Sequence, residues 1–137
     1  MATATAQAKQ QLSAGKLKLL ICDDSNIIRR KIERELKIER LQVVATASNG
    51  RLAVEAFRKD PCDVVTMDIT MPEMDGIECI EKLIAIKSDV LILIISALSD
   101  KATAIEGLKR GANGFLCKPF TDRQLTDAID ELLRGAP

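Results

Sequence analysis

Three aspartates, one serine and one lysine carry the chemistry this sequence can offer: Asp23, Asp24, Asp68, Ser96 and Lys118. Each follows a short apolar run: Leu17 to Cys22 before Asp23, Val64 to Met67 before Asp68, Val90 to Ile95 before Ser96, and Phe115 to Cys117 before Lys118. If these runs are neighbouring strands, one edge of a sheet gathers three carboxylates, a hydroxyl and an ammonium. Two carboxylates a few ångströms apart repel by ~4 kcal/mol at the effective dielectric of a protein surface. A single lysine cannot neutralise three of them, but a hard divalent cation can. Oxygen ligands without imidazole or thiolate favour Mg²⁺ or Mn²⁺ over zinc, and Mg²⁺ keeps open positions that phosphate oxygens can fill. Such a cluster suits phosphoryl transfer, in which the protein positions groups and stabilises charge.

The composition removes competing chemistries. None of the 137 residues is histidine, which excludes Ser-His-Asp and Cys-His nucleophilic sites, imidazole zinc sites and phosphohistidine carriers. Lys plus Arg equal Asp plus Glu at 20 each, so no basic field attracts nucleic acid and no polybasic patch attracts a membrane. Cys22, Cys62, Cys79 and Cys117 form no Cys-x-x-Cys pair and lie in or beside apolar runs. They are expected as buried free thiols of a reducing cytosol. No stretch approaches the ~20 apolar residues that cross a membrane, and the N-terminus lacks the regions of a secretory signal. A soluble cytoplasmic protein is expected.

The elements that must position the five residues follow from periodicity. Residues 1–15 are small and polar and read as a disordered tail, with the domain running from Lys16 to Pro137. Ile28, Ile32 and Leu36 mark a first helix, Gln42 to Ala47 a second strand, and Leu52, Ala53, Ala56 and Phe57 a second helix. Ile77, Ile80, Leu83 and Ile84 give a third helix after the Pro- and Gly-containing loop 71–76. Ala104, Ile105 and Leu108 give a fourth, ended by Gly111. The last helix begins at Thr121, where Thr121 and Gln124 match a capping box, and buries Leu125, Ile129, Leu132 and Leu133. Five strands alternating with five helices predict one α/β domain, a doubly wound five-stranded parallel sheet. Its crevice should open at the carboxyl ends of the strands, where the strand order reverses.

On these residues the chain resembles the response-regulator receiver domains of two-component signalling. The match runs through Asp23-Asp24, Met67-Asp68-Ile69-Thr70-Met71-Pro72-Glu73-Met74-Asp75-Gly76, Ser96-Ala97 and Lys118-Pro119-Phe120, over about residues 17–134. The chain's length and the wording of the Asp68 loop are similar to the family's stand-alone chemotaxis regulators. The resemblance implies a flavodoxin-like fold in which Asp68 is the nucleophile that becomes an acyl phosphate. It implies Mg²⁺ held by Asp24 and Asp68, by Asp23 directly or through water, and by the Thr70 carbonyl. Lys118 would contact a phosphoryl oxygen and pair with Asp68 beforehand, and Ser96 would move inward to bond the phosphoryl group. Phe115 matches the switch aromatic, and Lys118-Pro119 the family's cis peptide. The implied partners are a histidine kinase, an output protein such as the flagellar motor switch, and a phosphatase. Thr70 and Leu98 stand where the family often carries groups that orient an attacking water, so slow self-dephosphorylation is expected.

Plainer readings exist for each residue. Asp23 and Asp24 could offset a helix dipole, with Asp24 or Ser25 as cap. Ser96 could cap the fourth helix, although Ser99 is better placed, and Lys118 could be a solvated charge. Phe115 could be ordinary core, and Glu73 and Asp75 read as solvated loop charges. Other functions also fit in outline. A phosphorelay intermediary would pass its phosphoryl group to another protein's histidine. An aspartate-nucleophile phosphohydrolase would want an acid where Thr70 stands, and a flavin-binding protein would want a phosphate loop where Asp23 and Asp24 stand. Only Gly135, Ala136 and Pro137 follow the last helix, so no DNA-binding segment is expected.

Overall fold

The run Leu17 to Cys22 is apolar on both sides of its pleat except at Lys18, as a strand covered on both faces must be. In a computed structural model of the chain, which describes residues 16–36, 38–71 and 73–135, this run is β1 (Leu17–Cys22). The expectation for the 1–15 tail, and the domain end at Ala136 and Pro137, lie outside those residues. The remaining elements are α1 (Asn26–Glu35), β2 (Leu41–Ala47), α2 (Gly50–Lys59), β3 (Val64–Met67), α3 (Gly76–Ile86), β4 (Leu91–Ala97), a 3₁₀ turn (Leu98–Asp100), α4 (Lys101–Lys109), β5 (Gly114–Lys118) and α5 (Asp122–Arg134). The strands form one parallel sheet in the order β2-β1-β3-β4-β5.

Alternation along the strands feeds two cores. Leu20, Cys22, Val65, Met67, Ile92 and Ile94 face α2, α3 and α4, where Phe57, Ile80, Leu83 and Ala104 meet them. Leu19, Ile21, Val64, Leu93 and Ile95 face the opposite way, onto Ile32 of α1 and Leu125, Ile129 and Leu132 of α5. Each such aliphatic side chain contributes ~1.5–3 kcal/mol on leaving water. The chain leaves β1 for the edge strand β2 and returns past β1 to β3. The connections after β1 and β3 therefore depart to opposite faces, and a gap opens above their carboxyl ends.

Helix starts follow local chemistry. The side chains of Ser25, Asn49, Asp75 and Thr121 accept hydrogen bonds from the backbone N–H groups of Ile28, Leu52, Glu78 and Gln124, and the Thr121–Gln124 capping box is complete. Asp75 is thus a cap rather than a free loop charge. Helix α4 has no side-chain cap, because Ser99 is taken up in the 3₁₀ turn. Its end is as expected, with Gly111 at φ +121°.

Two expectations need correction here. The stripe read for α4 is only partly buried: Ala104 and Gly107 face the sheet, whereas Ile105 and Leu108 are exposed. Of the four free cysteines, Cys22, Cys62 and Cys79 are buried but Cys117 is only half-buried. No helix among the described residues is long and apolar enough to cross a membrane.

Candidate functional site

The parallel ladder continues one residue beyond β1 and β3. The Asp23 N–H donates to the Ala47 carbonyl (3.0 Å) and the Asp68 N–H to the Cys22 carbonyl (2.9 Å), which sets the two carboxylates side by side. One oxygen from each of Asp23, Asp24 and Asp68 lies within 4.8 Å of the others. Asp23 is 1% and Asp68 3% exposed, and Asp24 stands at the open side. Octahedral Mg²⁺ places its ligand oxygens about 3 Å apart when adjacent and about 4.2 Å when opposite, so this triad needs only a slight inward adjustment. Oδ1 of Asp23 accepts from the Ser25 N–H at 2.9 Å. Its buried Oδ2 has no well-aligned hydrogen bond, although Lys118 Nζ stands 2.9 Å away. A buried carboxylate oxygen short of hydrogen bonds, amid all-oxygen donors, fits a hard cation.

Lys118, the last residue of β5, bridges two of the carboxylates: Nζ is 2.9 Å from Asp23 Oδ2 and 3.6 Å from Asp68 Oδ2. The expected pairing with Asp68 is therefore present but secondary. Burial would lower the lysine pKa, yet the close ion pair with Asp23 and the charges of Asp23 and Asp68 outweigh it and hold Lys118 above its ordinary range. Burial pushes Asp68 up to about 6, with Asp23 and Asp24 adding to the rise; the Thr70 N–H and Lys118 oppose it. Asp68 Oδ1 accepts from the Thr70 N–H at 3.1 Å and from the Thr70 hydroxyl at 3.3 Å.

Ser96 lies one residue before the end of β4, fully buried, and its hydroxyl donates to Asp100 Oδ2 at 3.3 Å. Phe115 is half-buried against the core beneath α2, α3 and α4. The Lys118-Pro119 bond is cis, as expected. All five residues of the sequence constellation are thus delivered to the carboxyl edge of the sheet.

Three participants were not anticipated. Asp100, four residues beyond Ser96 across the end of β4 and the 3₁₀ turn, holds the serine hydroxyl, which no periodicity announces. Arg29 donates from Nη1 to the Asp23 carbonyl at 2.7 Å, one turn into α1. Glu73 is a solvent-exposed loop charge as expected, but it also accepts from Asn49 and Arg51. No sequence pattern announces that contact, which joins segments more than twenty residues apart.

Residues 19–130 match the family model of the response regulator receiver domain. The chain is similar to chemotaxis protein CheY of Thermotoga maritima, at 36% identity over 115 residues, covering 84% of this chain and 96% of that protein. It is 38% identical to CheY of Bacillus subtilis over 116 residues, covering 85% and 97% respectively. Among solved structures it resembles one from the CheX-CheY-BeF3-Mg complex of Borrelia burgdorferi, with a TM-score of 0.78 and 28% identity over 85% of this chain and 89% of that one.

Proposed function

This chain belongs to the response regulator receiver domain family, and from that premise we propose that it is a phosphorylation-switched binding protein that carries its phosphoryl group on Asp68. The observation that supports this most is the convergence of Asp23, Asp24 and Asp68 within 4.8 Å beside Lys118. Asp23, Asp24, Asp68 and the Thr70 carbonyl hold Mg²⁺, which when bound offsets the charge of the carboxylates and of the incoming phosphoryl oxygens.

Asp68 attacks the phosphorus of a phosphohistidine on a histidine kinase. A P–O bond forms as the P–N bond breaks, and the imidazole nitrogen keeps the electron pair. With its pKa pushed up to about 6, Asp68 is mostly ionised at neutral pH, as a nucleophile must be. Lys118 contacts a phosphoryl oxygen, and the Ser96 hydroxyl leaves Asp100 to bond another. Ile27, three residues past Asp24, is 78% exposed and Leu98, two past Ser96, is 68% exposed; both offer apolar contact to a donor protein at the site's rim.

The added charge of about −1.5 to −2 draws Ser96 and Lys118 inward, and Phe115 follows. The face made by α4, β5 and α5 then changes affinity for an output partner; Ile105 and Leu108 of α4 are exposed. The likeness to CheY over 96% and 97% of those proteins' lengths favours a cytoplasmic chemotaxis role with the flagellar motor switch as that partner and a phosphatase closing the cycle. Thr70 at the second position after the nucleophile argues against a turning-over phosphohydrolase.

Incubation with Mg²⁺ and acetyl phosphate should add one phosphoryl mass to Asp68 and none to an Asp68→Asn variant. An unmodified Asp68 after exposure to acetyl phosphate and to a competent histidine kinase would refute the reading. For the output, beryllofluoride should be required for retention on a motor-switch peptide.

A further inference from the structure

Loop 68–76 joins the nucleophile to α3, and it is fastened to a segment outside the acidic cluster. Glu73 sits at φ +70°, the one non-glycine residue at positive φ among the described residues. Glutamate has no intrinsic preference for that region, so something must hold it there. Its carboxylate accepts from Asn49 Nδ2 at 3.1 Å through Oε2 and from Arg51 Nε at 3.3 Å through Oε1. Asn49 is itself anchored: its Oδ1 caps α2 by accepting from the Leu52 N–H at 2.8 Å, and its carbonyl accepts from the Cys22 thiol, one residue before Asp23. Between these two side chains lies Gly50, whose backbone is so close to the loop that a Cβ there would stand 2.7 Å from the Met74 carbonyl oxygen and 2.8 Å from Met74 Cβ. The loop closes on itself through the Gly76 N–H, which donates to the Ile69 carbonyl at 3.1 Å. A Cβ on Gly76 would stand 2.4 Å from Ile69 Cα.

We infer that Glu73 is a positioning residue for the cation pocket, clamping the backbone of loop 69–76 onto Asn49 and Arg51 so that Thr70 and Asp68 are held ready for Mg²⁺. The inference rests on the metal reading above. Arg51 and Glu73 are both about half exposed, and an exposed ion pair of this kind contributes little to global stability. Its effect is therefore on the loop's conformation and not on whether the domain folds. Groups that orient metal ligands act in this way, and their loss weakens metal binding without touching the ion.

The test is Mg²⁺ titration by calorimetry on the intact protein and on Glu73→Ala, Arg51→Met and Glu73→Gly, with amide hydrogen exchange over residues 69–76. Glu73→Ala and Arg51→Met should each raise the Mg²⁺ Kd by roughly tenfold and speed exchange in the loop, while Tm stays near that of the parent. Electrostatics alone predicts the opposite pairing, since losing Arg51 would then tighten Mg²⁺ binding and losing Glu73 would weaken it; that result would overturn the clamp. Glu73→Gly takes the same φ freely but cannot hold Asn49 or Arg51. It should bind Mg²⁺ as weakly as Glu73→Ala, and binding equal to the parent would also overturn the clamp. A parent protein that binds no Mg²⁺ would sink the metal reading, whereas a binding parent with unaffected variants would sink the clamp alone.

Discussion

Lys118 lies closer to Asp23 than to the nucleophile: its ammonium is 2.9 Å from Asp23 Oδ2 and 3.6 Å from Asp68 Oδ2. Lys118 is thus paired chiefly with the buried carboxylate of Asp23, whose backbone carbonyl accepts from Arg29. On the proposed function, a divalent ion arriving at Asp23 would compete with Lys118 and free it to meet the phosphoryl group.

That competition predicts a split in Lys118→Met. Without Mg²⁺ the variant should lose ~1–3 kcal/mol of stability, less than for a fully buried pair because Lys118 is partly exposed. It should nonetheless bind Mg²⁺ more tightly than the parent by calorimetry, since one positive charge has left the pocket. Its phosphorylation by acetyl phosphate should slow by roughly 100-fold. Weaker Mg²⁺ binding in this variant would contradict the competition.

The raised pKa of Asp68 has a stability consequence with a definite sign. An acid whose folded pKa lies above its ordinary value stabilises the fold while protonated. That contribution is complete below about 3.8 and is lost as pH rises through about 6. In EDTA, the Tm of the parent minus that of Asp68→Asn should therefore fall between about pH 3.8 and 6 and level off above that. Mg²⁺ binding should strengthen as pH rises through about 6, because the ion requires the ionised carboxylate of the folded protein.

If Ser96 bonds the phosphoryl group as proposed, it must first leave Asp100. Asp100→Ala releases the hydroxyl from its 3.3 Å hydrogen bond, so a larger fraction of the protein should retain output peptide without beryllofluoride. Ser96→Ala should still take up phosphate on Asp68 but lose the phosphorylation-dependent gain in peptide binding. Equal basal binding in Asp100→Ala and the parent would show that Asp100 does not restrain the serine.

Hydrolysis of the acyl phosphate needs an oriented water. Thr70 already spends its hydroxyl on Asp68 Oδ1 at 3.3 Å, and Leu98 is exposed and apolar. Phospho-Asp68 should therefore persist well beyond a few seconds without a phosphatase, as followed by phosphate release. Replacing Leu98 with glutamine should shorten the lifetime.

Much of this was legible in the chain itself. Val64–Met67 is buried at every position and Leu91–Ala97 nearly so, and continuous apolar runs of strand length betray a sheet covered on both faces. Once the runs are strands of one parallel sheet, the residues after them share an edge, which is why Asp23, Asp24, Asp68, Ser96 and Lys118 could be grouped before any contact was known. Helix α4 was harder to read. Ala104, Ile105 and Leu108 fit an apolar stripe by period, but a Cβ at Gly107 would lie 2.5 Å from Ile94 Cδ1. The helix thus approaches the sheet through its small residues and leaves the larger ones outside. The partners of Ser96, Lys118 and Glu73 depend on rotamers and on segments far apart in sequence, for which periodicity carries no information.

The half-buried thiol of Cys117 has a practical use. Burial pushes the Cys62 and Cys79 thiols up to about 12 and Cys22 higher still, so all three resist alkylation at neutral pH. Cys117 precedes Lys118 on the edge strand β5, so a maleimide dye should enter there first. In a protein with neither tryptophan nor tyrosine, that dye would supply the missing optical reporter, attached to the strand that carries both Phe115 and Lys118.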